Sequence, residues 1–79
     1  MMIHVKLIAN YREHLPPEAK NGVVDLDLPD GTTVREALSR FDIPLDDSSV
    51  IVLNGLTVDL NTPLQQGDMV SAFSAIAGG

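Results

Sequence analysis

The residues most suited to take part in a chemical reaction are the last six of the chain, SAIAGG, which end with Gly78 and Gly79. Because glycine has no Cβ, both residues can be extended, bent or passed through a narrow slot at little steric cost. The reactive group is the α-carboxylate of Gly79, and six extended residues reach about 20 Å. Two interpretations are open at this point: a frayed terminus, or a tail that delivers a carboxylate into the active site of another protein.

The rest of the sequence offers little chemistry of its own. It contains no cysteine, which excludes a thiolate nucleophile, a disulfide framework and a cysteine-based metal site. The two histidines, His4 and His14, show no metal-ligand spacing, and neither a nucleophile elbow nor a glycine-rich phosphate loop is present. We therefore expect no catalysis by this chain alone, and no metal or cofactor bound by it.

The charge of the chain also limits its partners. Eleven acidic and five basic residues give a net charge of −6, which disfavours binding to nucleic acid. No apolar run approaches the ~18 residues of a membrane span, and the N-terminus lacks a signal-peptide pattern. These features predict a cytoplasmic protein without nucleic-acid or membrane partners. The acidity either favours a protein partner with a basic groove or serves solubility alone.

Hydrophobic periodicity predicts two strands in the first half of the chain. Residues 2–9 alternate, with Ile3, Val5, Leu7 and Ala9 on the inward face. A helical turn is expected over residues 11–15, ended by two prolines. A second strand follows over 23–28, with its aspartates on a solvated face.

A single helix is predicted next. Thr33 and Glu36 form a capping box, and the inward positions Val34, Ala37, Leu38 and Phe41 follow at helical spacing. The segment 42–44 ends the helix after two and a half turns, because the residue before proline avoids the α region. A helix this short requires packing against a sheet.

Three further strands are predicted over residues 50–53, 56–58 and 69–74. Asn54-Gly55 joins the first two as a type I′ hairpin turn. Leu64 is the expected core anchor of the following loop. In the last strand the alternation points Val70 and Ala72 inward and Phe73 outward.

This element order predicts an α+β protein with a β-grasp fold, a mixed sheet of four to five strands with one helix packed on one face. The last strand is expected beside the first. We expect the β-grasp domain to span residues 1–73 and a flexible Gly-Gly tail to span 74–79. The predicted core comprises Ile3, Val5, Leu7, Val24, Leu26, Val34, Leu38, Phe41, Ile51, Leu53, Leu64 and Val70.

The segment 64–70, LQQGDMV, followed by the terminal AGG, resembles the ubiquitin-like sulfur carriers of the MoaD/ThiS family. These are the small subunit of molybdopterin synthase and the sulfur carrier of thiamine biosynthesis. The segments VLNG at 52–55 and TVREAL at 33–38 match as well, so the resemblance covers the whole chain. IANYRE at 8–13 and the long connection after it resemble the molybdopterin branch. The short helix resembles the thiamine branch, and Ser74-Ala75 replaces the family's paired prolines, so the pathway stays open.

The resemblance implies a mechanism in which Gly79 is adenylated and converted to a thiocarboxylate. The implied partners are a ubiquitin-activating-like adenylyltransferase that uses ATP and Mg²⁺, a sulfur donor, and a large synthase subunit. Gly78 would be required because a Cβ would crowd the adenylating slot. Partner-binding candidates near the tail are Phe73, Ile76 and Ala77. Arg12 and Asp68 are weaker candidates, and Asp68 is the expected turn former.

Two alternative functions remain open at this level. In a ubiquitin-like protein modifier, the adenylated Gly79 would be captured by a lysine amine instead of sulfur. In a β-grasp interaction module without carrier chemistry, the tail would be idle.

Overall fold

The computed structural model describes residues 1–75. A five-stranded mixed sheet carries one α-helix and one 3₁₀ helix. The elements in chain order are β1 (Met2–Leu7), the 3₁₀ helix (Ala9–His14), β2 (Val23–Asp27), α1 (Val34–Leu38), β3 (Ser49–Leu53), β4 (Leu56–Thr57) and β5 (Met69–Ser74). Within these residues no helix is long and apolar enough to cross a membrane.

The strands lie in the order β2-β1-β5-β3-β4, with β5 in the centre. β1 and β5 are parallel, and the other three pairings are antiparallel. The last strand therefore lies beside the first, as the sequence predicts. This arrangement confirms the α+β class and the β-grasp fold.

The core lies on one face of the sheet. Its buried members are Ile3, Val5, Leu7, Tyr11, Val24, Leu28, Val34, Ala37, Leu38, Phe41, Ile43, Ile51, Leu64, Val70 and Ala72. Leu26 and Leu53, which the sequence places in the core, are only half buried. Leu26 lies on the edge strand β2 and Leu53 beside a hairpin turn, so each is packed on fewer sides.

The capping box at the start of α1 is confirmed. The Thr33 hydroxyl accepts a hydrogen bond from the Glu36 N–H at 3.3 Å, and Glu36 Oε1 accepts one from the Thr33 N–H at 3.1 Å. The next two N–H groups, those of Val34 and Arg35, donate to carbonyl oxygens of the 60–62 loop. The short helix is thus held at its N-terminus by its own cap and by the chain that packs beside it.

Several predicted boundaries are wrong. β2 ends at Asp27, one residue before the predicted end, and β3 begins at Ser49, one residue before the predicted start. Ala9 is not in β1, because its φ of 54° turns the chain off the sheet and starts the 3₁₀ helix. The α-helix ends at Leu38 instead of continuing through Phe41, since the N–H groups of Arg40 and Phe41 donate to carbonyls three residues back. The tighter turn keeps Phe41 buried. β4 ends at Thr57, one residue before the predicted end.

Candidate functional site

The four residues that carry the predicted chemistry at the end of the chain, Ile76, Ala77, Gly78 and Gly79, lie outside the described residues. What the structure describes is the strand that leads to them. β5 ends at Ser74, and Ala75 is the last described residue. The site is therefore built here from β5, from the elements on either side of it, and from the surface around its C-terminal end.

β5 occupies the central position of the sheet because both of its edges are paired. Val70 is opposite Val5 in β1 and Leu53 in β3, and Ala72 is opposite Leu7 and Ile51. The side chains of Val70 and Ala72 have no solvent exposure. The strand is thus held by two ladders and by the core, which makes it a rigid support for whatever follows it.

A network of side-chain hydrogen bonds holds the N-terminal end of β5. Asp68 accepts from Asn54 Nδ2 at 2.9 Å and from the Gln65 N–H at 2.7 Å. Asn54 Oδ1 accepts from the Met69 N–H at 2.9 Å. The geometry depends on the hairpin turn, because Asn54 and Gly55 both have positive φ (51° and 89°), as a type I′ turn requires. The prediction that Asp68 forms a turn is confirmed.

The C-terminal end of β5 is held by the loop before β3. The Ala75 N–H donates to the Ser48 carbonyl at 2.7 Å, and the hydroxyls of Ser48 and Ser74 lie 3.4 Å apart. Asp46 Oδ1 in turn accepts from the Ser48 hydroxyl at 2.5 Å and from the Ser48 N–H at 2.8 Å. These hydrogen bonds stabilise the carboxylate and lower the pKa of Asp46 below its ordinary value.

Tyr11 contacts the same loop from its buried side. The Tyr11 side chain is buried, and its hydroxyl lies 2.8 Å from Ser49 Oγ and 3.2 Å from the Pro44 carbonyl oxygen. Sequence reasoning missed this residue. Tyrosine in a short helical turn carries no local signal of burial, and its partners lie 33 and 38 residues away.

Near the C-terminal end of β5, the sheet face opposite the core carries three apolar side chains, Ile8, Val50 and Phe73, which we call the apolar strip. Phe73 is opposite Val50 across the β3–β5 ladder. Ile8 follows Leu7, the partner of Ala72, and its N–H donates to the Ala72 carbonyl at 3.0 Å. Ile8 is 36% exposed, and Phe73 and Val50 are half buried.

The structure thus brings Phe73 together with two residues that sequence reasoning did not select. Phe73 is on the outer face, as the alternation predicts. Of its neighbours, Ile8 directly follows β1 and Val50 lies in β3, and only the register of the sheet identifies them.

The residues around the apolar strip include both polar and apolar side chains. Lys6 and Val52 both lie opposite Ser71, one row further from the tail. In the next row His4 Nδ1 lies 2.5 Å from Asp25 Oδ1. Arg12 is exposed on the 3₁₀ helix and lies near Gly22. In the described part of the chain no group of three or more acidic or histidine side chains could hold a metal ion.

Solved structures share this fold. SAMP1, the small archaeal modifier protein 1 of Haloferax volcanii, superposes with a TM-score of 0.76 at 22% identity, over 100% of both chains. A molybdopterin converting factor subunit 1 protein of Pyrococcus furiosus gives a TM-score of 0.71 at 24% identity, over 95% of this chain and 98% of that one.

A third similar structure contains a partner. It is the complex of subunits 1 and 2 of the molybdopterin-converting factor from Helicobacter pylori, with a TM-score of 0.59 at 24% identity over 100% of both chains. At these identities the structures show a common fold.

The comparison of sequences decides the family. No curated protein sequence matches the chain significantly. The family model of the ThiS family matches residues 5–79, which includes both terminal glycines. The described part of the chain has the sheet order and the helix placement of that fold. The chain therefore belongs to the ThiS family of ubiquitin-like sulfur carriers, the MoaD/ThiS type.

Proposed function

We propose that this protein carries sulfur as a thiocarboxylate on Gly79, for transfer in the biosynthesis of a cofactor such as molybdopterin or thiamine. The observation that carries the proposal is the family match through Gly79, together with the central position of β5. Ala75 is fixed to the body of the protein, and four further residues extend at most about 14 Å. A partner that binds the body can therefore reach the terminal carboxylate.

The chemistry requires an activating partner. The reference pKa of an α-carboxyl group is about 3.5, so Gly79 would be ionised at neutral pH and a poor electrophile. In the adenylating step a carboxylate oxygen bonds to the α-phosphorus of ATP, and pyrophosphate leaves with Mg²⁺. Sulfide then attacks the acyl carbon, and AMP leaves as the C–S bond forms. The described residues offer no group for either step, so we assign both to the activating enzyme and the protein itself to the role of carrier.

We propose that the apolar strip forms the docking surface for this partner, together with Ile76 and Ala77. Half-buried aromatic and aliphatic side chains beside a functional segment are typical of protein interfaces. The second subunit bound to the Helicobacter pylori relative supports a further partner, a large synthase subunit. Such a carrier would work in the cytoplasm, where its partners and ATP are found.

The test is an activation assay read by intact mass. The protein is incubated with an activating enzyme, ATP, Mg²⁺ and sulfide, and we expect a mass increase equal to the replacement of one oxygen by sulfur. Deletion of Gly79, or Gly78→Val, should abolish the increase and leave the thermal melt unchanged. Ala75→Val is the matched control: it introduces the same side chain at an exposed position before the glycines and should stay active. Absence of the mass increase with several activating enzymes would refute the proposal.

The docking surface has its own test. Phe73→Ala should raise the concentration of carrier needed for half-maximal activation about tenfold, because aromatic anchors contribute most of the energy of an interface. Leu56→Ala is the control, since Leu56 is 72% exposed and lies on the edge strand β4. If the two variants lose activation equally, the partner does not bind through the apolar strip.

A second candidate function is supported by the likeness to SAMP1, a protein named as a modifier. In that case a lysine amine attacks the acyl-adenylate, and an isopeptide bond forms as AMP leaves. A ladder of conjugates on a blot, absent when Gly79 is deleted, would support this function. If deletion of Gly79 changes neither sulfur loading nor conjugation, the protein is an interaction module with an idle tail.

A further inference from the structure

The edge strand β2 exposes part of its backbone in a regular pattern. β2 is the outermost strand beside β1, and its ladder is bounded by two hydrogen bonds, Leu28 N–H to Met1 at 2.8 Å and Leu7 N–H to Gly22 at 3.3 Å. Bonded and non-bonded pairs alternate along an antiparallel ladder. Within this register the backbone groups of Asp25 and Asp27 therefore point away from β1, toward the open edge.

The start of this edge is already covered. The N–H and the carbonyl of Val23 exchange hydrogen bonds with Lys20, at 2.9 and 2.8 Å. The open stretch of β2 accordingly runs over residues 24–27 and presents two N–H and two carbonyl groups. By contrast, the opposite edge of the sheet is formed by β4, which has only two residues. Of the two edges, β2 is the one long enough to pair with another strand.

A cavity of about 360 Å³ runs beside the same edge, lined by Glu18, Lys20, Val23, Val24 and Asp25. Val24 is a core-side residue, whereas Asp25 lies on the opposite face. The cavity therefore follows the edge of the strand and is not confined to one face of the sheet. Its lining comes from the 18–20 segment and from the first three residues of β2.

The charges along this edge favour one kind of partner segment. The side chains of Asp25 and Asp27 are 62% and 83% exposed, and Glu18 adds a third carboxylate. Their basic neighbours are Lys20, His4 beside Asp25, and the terminal ammonium 3.6 Å from Asp27. A second copy of β2 would bring aspartates opposite aspartates, which destabilises a strand pair. A segment with lysine or arginine at alternate positions would bring opposite charges together.

We propose that the edge of β2 binds an extended, basic segment of a partner protein as a sixth strand of the sheet. Backbone hydrogen bonds to Asp25 and Asp27 would align the segment, and their carboxylates would select its alternating cations. This site is separate from the tail, and its test does not involve Gly79.

The experiment uses the full chain and a short capped peptide of alternating lysine and valine. Amide hydrogen exchange is measured by NMR with and without the peptide. The N–H groups of Asp25 and Asp27 should exchange at least about tenfold more slowly in the complex, because they become hydrogen-bonded. The N–H groups of Val24 and Leu26 already bond to β1 and should change less. Binding should weaken as salt is added.

Two comparison peptides separate strand addition from charge attraction. A fully N-methylated peptide keeps the charges and loses its N–H groups, so it should not bind. A peptide of alternating glutamate and valine should not bind either. Equal binding of the N-methylated peptide, or binding without protection of Asp25 and Asp27, would overturn the proposal.

Charge-reversal variants complete the test. Asp25→Lys/Asp27→Lys should weaken binding of the lysine peptide at least about tenfold. Asp42→Lys/Asp47→Lys makes the same change in net charge at exposed positions away from the edge and should bind like the wild type. Protection of Asp25 and Asp27 that rises with protein concentration, in the absence of peptide, would show a second copy as the occupant and refute the basic segment.

Discussion

The two ends of β5 are held in different ways. At its N-terminal end, Asp68 and Asn54 connect the strand to the hairpin turn and to the preceding loop through three hydrogen bonds that involve side chains. At its C-terminal end, the backbone hydrogen bond from Ala75 to Ser48 and the paired hydroxyls of Ser48 and Ser74 connect the chain to a loop. That loop depends in turn on Asp46 and Tyr11.

Because of this difference, one end of β5 stabilises the fold and the other end presents the tail to a partner. The N-terminal end fixes where β5 begins, and therefore its register with β1 and β3. The C-terminal end fixes only the point at which the chain leaves the sheet. A partner that binds the chain beyond β5 would act on the contact with this loop, and the paired strand behind it would stay in place.

The largest effect is expected at the N-terminal end. Asp68→Ala leaves the Gln65 N–H and the Asn54 amide without their charged acceptor, and such hydrogen bonds contribute about 1.5–3 kcal/mol each. With solvent partly replacing the acceptor, we expect a loss of about 2–3 kcal/mol in the free energy of unfolding and a fall in Tm of roughly 10–20 °C. Thermal and denaturant melts measure it.

Asp59→Ala is the matched control for this prediction. Asp59 also accepts hydrogen bonds from its own loop, from the Asn61 N–H and the Thr62 hydroxyl, but none of them involves β5. The control should therefore cost clearly less. Equal losses in the free energy of unfolding would mean that any hydrogen-bonded loop carboxylate contributes as much as Asp68. The N-terminal end of β5 would then not be special.

A smaller loss is expected for Tyr11→Phe, which acts on the C-terminal end through the 44–49 loop. The substitution keeps the buried ring and removes the hydroxyl shared by Ser49 and Pro44. One buried hydrogen-bonding group of this kind corresponds to about 1–2 kcal/mol. Ser49→Ala should give a similar loss, and the double variant should lose less than the sum, because both remove the same interaction. Strict additivity would contradict the network.

A structural feature could be predicted from the sequence when residues close together in the chain determine it. The capping box at Thr33 and Glu36 and the Asn54-Gly55 turn are local patterns, and both are confirmed. The alternation in β5 likewise identified the inward Val70 and Ala72. The left-handed Ala9 was missed, since nothing in the neighbouring residues demands a positive φ there.

The candidate site was less predictable than the fold. Type and position identify the carboxylate of Gly79 as a candidate, the family resemblance implies its sulfur chemistry, and alternation predicts the outward Phe73. The apolar strip, however, exists only because the β1–β5 and β3–β5 registers place Ile8 and Val50 beside Phe73. Tyr11 and Ser49, 38 residues apart, meet only in the folded chain. Long-range pairing of this kind leaves no pattern within a window of neighbouring residues.

A third prediction concerns the hydrogen bond between Ala75, directly after β5, and Ser48. Ala75→Pro removes the N–H that donates to the Ser48 carbonyl, and it favours an extended conformation at Ser74, which is already in a strand. The cost should stay below about 1 kcal/mol, since one exposed backbone bond is lost. Val70→Pro, which removes a ladder bond inside β5, should instead prevent cooperative folding. If Ala75→Pro unfolds the protein, the C-terminal end is as essential as the N-terminal end.

The smallest effect should come from Asp46, and it should depend on pH. The hydrogen bonds from the Ser48 hydroxyl and N–H lower the pKa of Asp46 from its ordinary value of 3.8. Because the folded-state pKa is the lower one, the carboxylate contributes stability above the ordinary value, and this contribution is lost as the pH falls through the folded-state pKa. At neutral pH, Asp46→Asn should therefore speed exchange of the Ala75 N–H, whose acceptor is Ser48. In acid the exchange rate of the wild type should approach that of the variant.

Asp47→Asn is the control, because it removes the same charge from an exposed neighbour that makes no hydrogen bond to Ser48. Its effect on the exchange of the Ala75 N–H should be smaller. A pH-independent difference between wild type and Asp46→Asn would show that the ionised carboxylate does not hold the loop, and that the Ser48 carbonyl is positioned by Tyr11 and Ser49 alone.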